Sequence, residues 1–249
     1  GTFTVGKSIS RRDNQAKSYS DSVADAAGNI GLNSNSVHEK LAADIYCGTG
    51  MLNAILTGDG KKIGLLVTRG FDDITIMEGG LTYLGQSQEE ALHQQLHKHP
   101  RPLVDPKNVF SISERLGGGC YQGDVHLPAG HTLIPVNEQQ VKDAANKLID
   151  QGCEIIGILF IYSFVDPKHE HQAKKIVEEI ISSRKVNIPV LCSSDVAPVS
   201  KENNRMKSLI FQCFAAEQTR ESFLEVEKTA QDLGFKGRLL TLLSYGGAV

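Results

Sequence analysis

Three short stretches carry residue types and spacings that could act on a ligand. The first is Gly48-Thr49-Gly50, which follows Ile45-Tyr46-Cys47 and precedes Met51-Leu52-Asn53-Ala54-Ile55-Leu56. It reads as a short buried strand, a glycine turn and the start of a helix. Glycines at such a turn permit positive φ and close backbone approach. The N–H groups at a helix N-terminus can then face an anion, so a phosphate or carboxylate near Thr49 is the expected ligand type. Taken alone, the stretch is better read as a plain strand-to-helix turn, because it has neither the Gly-Lys-Ser/Thr of a Walker loop nor GxGxxG. The second stretch is Arg69-Gly70-Phe71-Asp72-Asp73, at the C-terminal end of the apolar run Ile63-Gly64-Leu65-Leu66-Val67-Thr68. Ligands in open α/β sheets sit at that edge. Arg69 could take a phosphate bidentately, and Asp72 could hold magnesium through oxygen or water. An Arg–Asp pair that braces the turn is an equally good account. The third is Ser244-Tyr245-Gly246-Gly247, again a turn after an apolar strand and able to cradle a phosphate. Two glycine turns after two apolar strands are what a split nucleotide site needs.

The remaining polar candidates read as structural. His93 and His97 have the i,i+4 spacing of metal ligands but lack HExxH, which favours a solvated helix face. His169-Glu170-His171 opens a helix after Pro167 and reads as exposed. Cys47 reads as a buried small residue rather than a nucleophile. Glu202 and Arg205 are three apart at a helix start, where they can pair and oppose the macrodipole. No histidine has a partner that would make it a general base, and no catalytic residue or resident metal ligand is assigned.

The elements that would position these residues follow from periodicity. Residues 1–8 read as an edge or hairpin strand. A weakly periodic helix lies within 11–31, and a short one capped by Asn35 or Ser36 runs to Leu41. Met51, Leu52, Ile55 and Leu56 give the helix after the first turn an apolar face. Residues 63–68, 155–162 and 188–192 are continuous apolar runs of the kind found in buried parallel strands. Residues 88–97 read as a polar helix and 109–115 as a strand. Asn137 caps a helix over 138–151, Pro167 opens one to about 183, and 202–233 reads as one long helix before a strand at 239–243. The β-α-β alternation from 137 onward argues for a mainly parallel sheet with covering helices.

Composition bounds the function classes. The chain has 249 residues, enough for one large or two small domains, with 40% hydrophobic and 22% charged residues, as in soluble globular proteins. A net charge of −3 without a basic block argues against nucleic acid as a partner. No apolar run approaches the roughly 20 residues of a membrane span. Five scattered cysteines without a CxxC pair indicate neither a disulfide framework nor a zinc knuckle, and with no signal peptide a cytoplasmic location is expected. The chain begins inside an apparent strand and ends on a glycine turn, so a fragment of a longer polypeptide is expected.

Several pieces occur together and in order: Tyr46-Cys47-Gly48-Thr49-Gly50-Met51-Leu52-Asn53, Val67-Thr68-Arg69-Gly70-Phe71-Asp72-Asp73, and Pro102-Leu103-Val104. Glu114-Arg115, Tyr162-Ser163-Phe164 with Pro167 and His169-Glu170, the set Asp195, Pro198, Glu202 and Arg205, Ala215-Ala216-Glu217, and Gly246-Gly247 follow. This ordered set resembles the N-terminal part of the hydantoinase A/oxoprolinase family, and most of all its acetone carboxylase branch. The resemblance covers nearly the whole chain.

The resemblance implies an α/β fold with mainly parallel mixed sheets and covering helices. That fold would be similar to the actin-like/sugar-kinase ATPase (ribonuclease H-like) superfold and incomplete at both ends. It implies ATP and Mg2+ as cofactors and activation of a small ketone and bicarbonate by phosphorylation. It also implies a larger metal-bearing α subunit and a small γ subunit as partners in a heterohexamer, with the metal for carboxylation on the partner. Gly48, Thr49, Gly50 and Asn53 match the family's second glycine turn and Gly246 and Gly247 its later one, with Arg69 and Asp72 in support. The family's first phosphate loop is expected to be missing, since Gly1-Thr2-Phe3-Thr4 resembles only its tail. Residues 1–135 are expected to form one subdomain and 136–249 another, and the isolated chain is not expected to be a complete catalyst. A hydantoinase or 5-oxoprolinase-type amide-ring hydrolase, or a non-catalytic assembly module, stands as the alternative.

Overall fold

The computed structural model describes residues 3–11, 13–76, 87–93, 101–122, 124–242 and 247. The chain forms two compact units, one of Gly1–Asn53 with Ala216–Val249 and one of Ala54–Ala215. The division expected near residue 135 falls inside the second of these. Among the described residues, no helix is long and apolar enough to cross a membrane.

The first unit opens without the expected strand, since residues 3–10 have no regular structure. They lie on a helix instead. The Lys7 N–H donates to Asp25 Oδ2 at 2.8 Å, and Asn29 Nδ2 donates to the Val5 carbonyl at 3.0 Å. Gly6 permits this approach, because a Cβ there would sit 2.0 Å from the Ser22 carbonyl oxygen. The helix is α1 (Gln15–Gly28), capped by Asn14, whose side chain accepts from the Lys17 N–H. Helix α2 (Ser34–His38) is capped by Asn33, ahead of the expected Asn35 or Ser36. Strand β1 (Asp44–Tyr46) leads to α3 (Gly50–Thr57). The expected apolar face of α3 is not covered: Ala54 is its buried residue, and Leu52 and Leu56 are 54% and 75% exposed.

The second unit is built on β2 (Ile63–Thr68), buried at every position. Along the chain follow α4 (Gln88–Leu92), β3 (Val109–Ile112), β4 (Arg115–Leu116), β5 (Cys120–Gln122), β6 (Val125–Leu127) and β7 (Thr132–Ile134). Then come α5 (Glu138–Asp150), β8 (Ile155–Leu159), α6 (Lys168–Ser183), β9 (Val190–Cys192), α7 (Ser193–Val196) and α8 (Glu202–Phe211). The sheet order is β3-β2-β8-β9, every pair parallel, as the continuous apolar runs predict. Strands β4 with β7 and β5 with β6 form two small antiparallel ladders after β3 in the chain, which the periodicity did not indicate. Leu66, Ile156 and Ile158 pack with Val141, Ala145 and Leu148 of α5 and with Ala173 and Val177 of α6. On the other face, Leu65 and Leu209 of α8 crowd Gly157, where a Cβ would lie 3.2 and 3.1 Å from them. Helices therefore cover both faces.

The helix expected over 202–233 is interrupted. A π-helical turn, Gln212–Ala216, separates α8 from α9 (Glu217–Asp232) and buries Cys213, Phe214 and Ala215. The Phe214 ring occupies the space beside Gly60, 2.5 Å from where a Cβ would be. Back in the first unit, Val226, Ala230 and Phe235 pack with Tyr19 of α1. Strand β10 (Leu239–Thr241) pairs parallel with β1, Asp44 opposite Leu239 and Tyr46 opposite Thr241.

Candidate functional site

The strands that precede the two glycine stretches, β1 and β10, are neighbours in one parallel sheet of the first unit. The parallel register of β1 and β10 places residue 47 and residue 242 on one edge. Tyr46 fixes that edge: its hydroxyl donates to Gln15 Oε1 at 3.1 Å and its ring meets Phe223 edge-on. Gly48 and Thr49 are exposed, and Gly50 opens α3. The Thr49 carbonyl accepts the Asn53 N–H at 2.8 Å, and Asn53 Nδ2 donates to Thr49 Oγ1 at 3.3 Å. The expected positive φ is found at neither Gly48 nor Gly50. A Cβ would approach nothing closer than 3.7 Å at Gly48 or 3.6 Å at Gly50. These glycines leave backbone uncovered; they do not relieve strain. Cys47 is exposed, not buried. Gly247 does adopt φ +91°, whereas Gly246 lies outside the described residues.

Arg69 and Asp72, in the second unit, do not act on each other. The Asp72 carboxylate accepts the Gly70 N–H at 3.2 Å and so closes its own turn, with Gly70 at φ +90°. The Arg69 guanidinium reaches Ser113 Oγ at 3.4 Å and lines an open cleft of about 330 Å³ with Phe110, Gln140, Asp143 and Lys147. Among the described residues, no ion pair joins Arg69 to Asp72. Helix α4 ends at Leu92, so His93 lies past its end, and His97 is outside the described residues.

Sequence reasoning missed the most polar part of the interior. His169 and Glu170 are 3% and 0% exposed, not solvated as expected; only His171 of that trio is open. They form two connected clusters at the C-terminal ends of the central strands. In one, His169 Nδ1 meets Glu114 Oε2 at 2.7 Å, Glu114 Oε1 accepts the Thr68 hydroxyl, and Thr68 Oγ1 accepts the Ile161 N–H at 2.9 Å. His169 Nε2 meets Thr132 Oγ1 at 3.2 Å. In the other, Glu170 accepts from the Phe160 N–H at 2.8 Å and from the Ser193 and Ser194 hydroxyls at 2.6 Å each. Arg205 Nε donates to Ser193 Oγ at 2.9 Å, and its other nitrogens donate to the Phe160 and Val199 carbonyls. Burial lowers the pKa of this guanidinium, and Glu170 and Glu202 oppose the shift. Buried charge is tolerated only when paired and hydrogen-bonded in this way. The signal was present in the sequence: His169 and Glu170 continue, at i−4 and i−3 from Ala173, the buried stripe Ala173, Ile176, Val177 and Ile181 of α6.

His171, Asp195 and Cys192 also lie together, their donor atoms within 4.8 Å of one another. His171 Nε2 already meets Asp195 Oδ1 at 2.9 Å, with Lys174 Nζ 4.0 Å from the same carboxylate. Burial, with the carboxylates of Glu170, Asp195 and Glu178, pushes the Cys192 thiol up. The trio is a hydrogen-bonded His171–Asp195 pair beside a buried thiol.

Residues 1–181 match the family model of the hydantoinase/oxoprolinase N-terminal region. The chain belongs to the hydantoinase/oxoprolinase family. It is 30% identical over 250 residues to the acetone carboxylase beta subunit of Xanthobacter autotrophicus, covering 100% of this chain and 34% of that subunit. It is 23% identical over 221 residues to the acetophenone carboxylase gamma subunit of Aromatoleum aromaticum, covering 88% of this chain and 29% of that one. Its fold is similar to that of nucleotide-free acetone carboxylase, with a TM-score of 0.87 at 30% identity over 98% of this chain and 33% of the other. The chain thus spans about a third of the length of these relatives.

Proposed function

We propose that this chain is part of the nucleotide-binding subunit of an ATP-dependent, acetone-type carboxylase, in which ketone and bicarbonate are activated by phosphorylation on the way to a 3-oxo acid. The carrying observation is the similarity to the acetone carboxylase beta subunit along the whole chain, in sequence and in fold. The paired turns after β1 and β10 give the reading a physical basis. An open backbone at 48–50 and the N-terminus of α3 suit phosphate oxygens. Thr49 Oγ1 and Asn53 hold that turn, and Gly247, beyond β10, adopts φ +91°. We assign the fold as a variant of the actin-like/sugar-kinase ATPases.

The residues present fit ATP with Mg2+ in a limited way. The turn offers backbone donors and one hydroxyl, while 47–53 contain no carboxylate, so phosphate oxygens would supply most ligands of the ion. Bound ATP would supply the phosphoryl group. The chain's part is to bind and orient it and to offset its charge, which is where positioning and electrostatics act in phosphoryl transfer. Within the second unit, Arg69 and Lys147 line one cleft and form a cationic surface, and Asp72 closes its own turn at Gly70. A larger metal-bearing α subunit and a small γ subunit complete the assembly in this reading.

A substrate panel with the full-length protein and its partner subunits tests it. Nucleotide turnover that requires both a small ketone and bicarbonate, with AMP as product, is the expected result. Opening of a cyclic amide without carbon dioxide fixation would replace the carboxylase with an amide-ring hydrolase. Turnover with neither would leave an assembly role.

A further inference from the structure

We propose that Thr132, His169 and Glu114 form an acyl-transfer relay in the second unit, separate from the nucleotide turns, with Thr132 as nucleophile towards short acyl esters. The geometry fixes each role. Both Glu114 oxygens accept: Oε1 takes the Thr68 hydroxyl and Oε2 faces His169 Nδ1 at 2.7 Å. Nδ1 therefore carries a ring proton, and in the neutral ring that the relay requires Nε2 is left as an acceptor. The group at Nε2 is the Thr132 hydroxyl, 3.2 Å away, which donates to the neutral ring. A hydroxyl on a base that is itself oriented by a third group is the arrangement that activates a weak nucleophile. The orienting carboxylate is anchored through Thr68, whose oxygen accepts the Ile161 N–H at 2.9 Å.

Exposure divides in the same way. Glu114 and His169 are 2% and 3% exposed and so are shielded from water. Strand β7 is exposed at all three positions, so Thr132 stands at the surface end of the relay. The chain around it is thin. Gly119 and Gly130 adopt φ +92° and +83°, and a Cβ at Gly117 would fall 2.0 Å from the His131 ring. The threonine methyl crowds a tetrahedral centre, which favours short acyl groups.

In the first step Thr132 Oγ bonds to the ester carbonyl carbon while its proton passes to His169 Nε2. The carbon–oxygen bond to the alcohol breaks, and the alcohol leaves with that proton. Water then attacks the acyl-threonine and gives a proton to Nε2. The acid departs, and the proton returns to Thr132 Oγ.

The test uses p-nitrophenyl acetate on the full-length protein, following nitrophenol release and mapping the acetylated peptide. The expected result is a transient acetyl group on Thr132 and release that falls at least tenfold in Thr132→Val, an exposed isostere that keeps the strand. Thr132→Ser should retain or raise the rate, and His169→Gln should lower it with the acetyl group no longer accumulating on Thr132. Wild-type protein without acetyl-Thr132, or Thr132→Val releasing nitrophenol at the wild-type rate, would overturn the proposal. These outcomes are independent of nucleotide turnover.

Discussion

Arg205 is the largest fully buried side chain among the described residues, and it spends every nitrogen. Its donors reach Ser193 Oγ and the carbonyls of Phe160 and Val199, and its face lies 5.5 Å from the Phe164 ring. Through Ser193 it also holds the hydroxyl that Glu170 accepts. Arg205→Ala strands those acceptors and leaves the buried Glu170 charge with less support, so it should cost about 3–5 kcal/mol. Arg205→Lys should recover only part, because an ammonium cannot reach three directions in a plane. Urea unfolding midpoints measure both, and a loss below about 1 kcal/mol for the alanine variant would mean the network does not brace the strand ends. The sequence suggested the Glu202–Arg205 pair, yet that contact is long, 3.9 Å, and secondary. Residue spacing shows neighbours along a helix; it does not show the carbonyls and serines that arrive from other strands. For the same reason Thr132 was silent: one threonine on a short exposed strand has no pattern to mark it.

At the scale of elements, strong periodicity was legible. Strands β2 and β8 followed from unbroken apolar runs, and α5 followed from its stripe and its Asn137 cap, whose side chain accepts from the Gln140 N–H at 3.0 Å. Short elements were not legible. The two small ladders after β3 have two or three residues per strand, too few for alternation to register. The break between α8 and α9 escaped because a π turn adds one residue without disturbing composition. Packing also sets demands that no pattern displays. A Cβ on Gly64 would sit 2.7 Å from Leu148 Cδ2, so β2 and α5 approach only because residue 64 is glycine. Gly64→Ala should destabilise by about 1–3 kcal/mol. In a Leu148→Ala background the same change should cost clearly less, because the clash is gone. A double-mutant cycle by thermal or denaturant unfolding checks this, and additive losses would refute the contact.

At the scale of the whole molecule, the functional reading rests on a topological fact. Strands β1 and β10 are almost 200 residues apart (Asp44 opposite Leu239), yet they run parallel as neighbours, so residues 47 and 242 come to one edge. Glycines marked both stretches in the sequence, but nothing there marked the pairing of β1 with β10, which depends on α1 and α9 closing the first unit around Tyr19, Val226 and Ala230. It also misjudged why Gly48 and Gly50 are there, since their backbone is unstrained and what they leave is open space. The most direct measurement is calorimetric binding of ATP with magnesium to the full-length protein, wild type against Thr49→Val. The account predicts saturable binding near one nucleotide per chain and affinity at least tenfold weaker in the variant, with the unfolding midpoint unchanged. Equal affinity in the two proteins would contradict it and remove the turn at Thr49 from the nucleotide site.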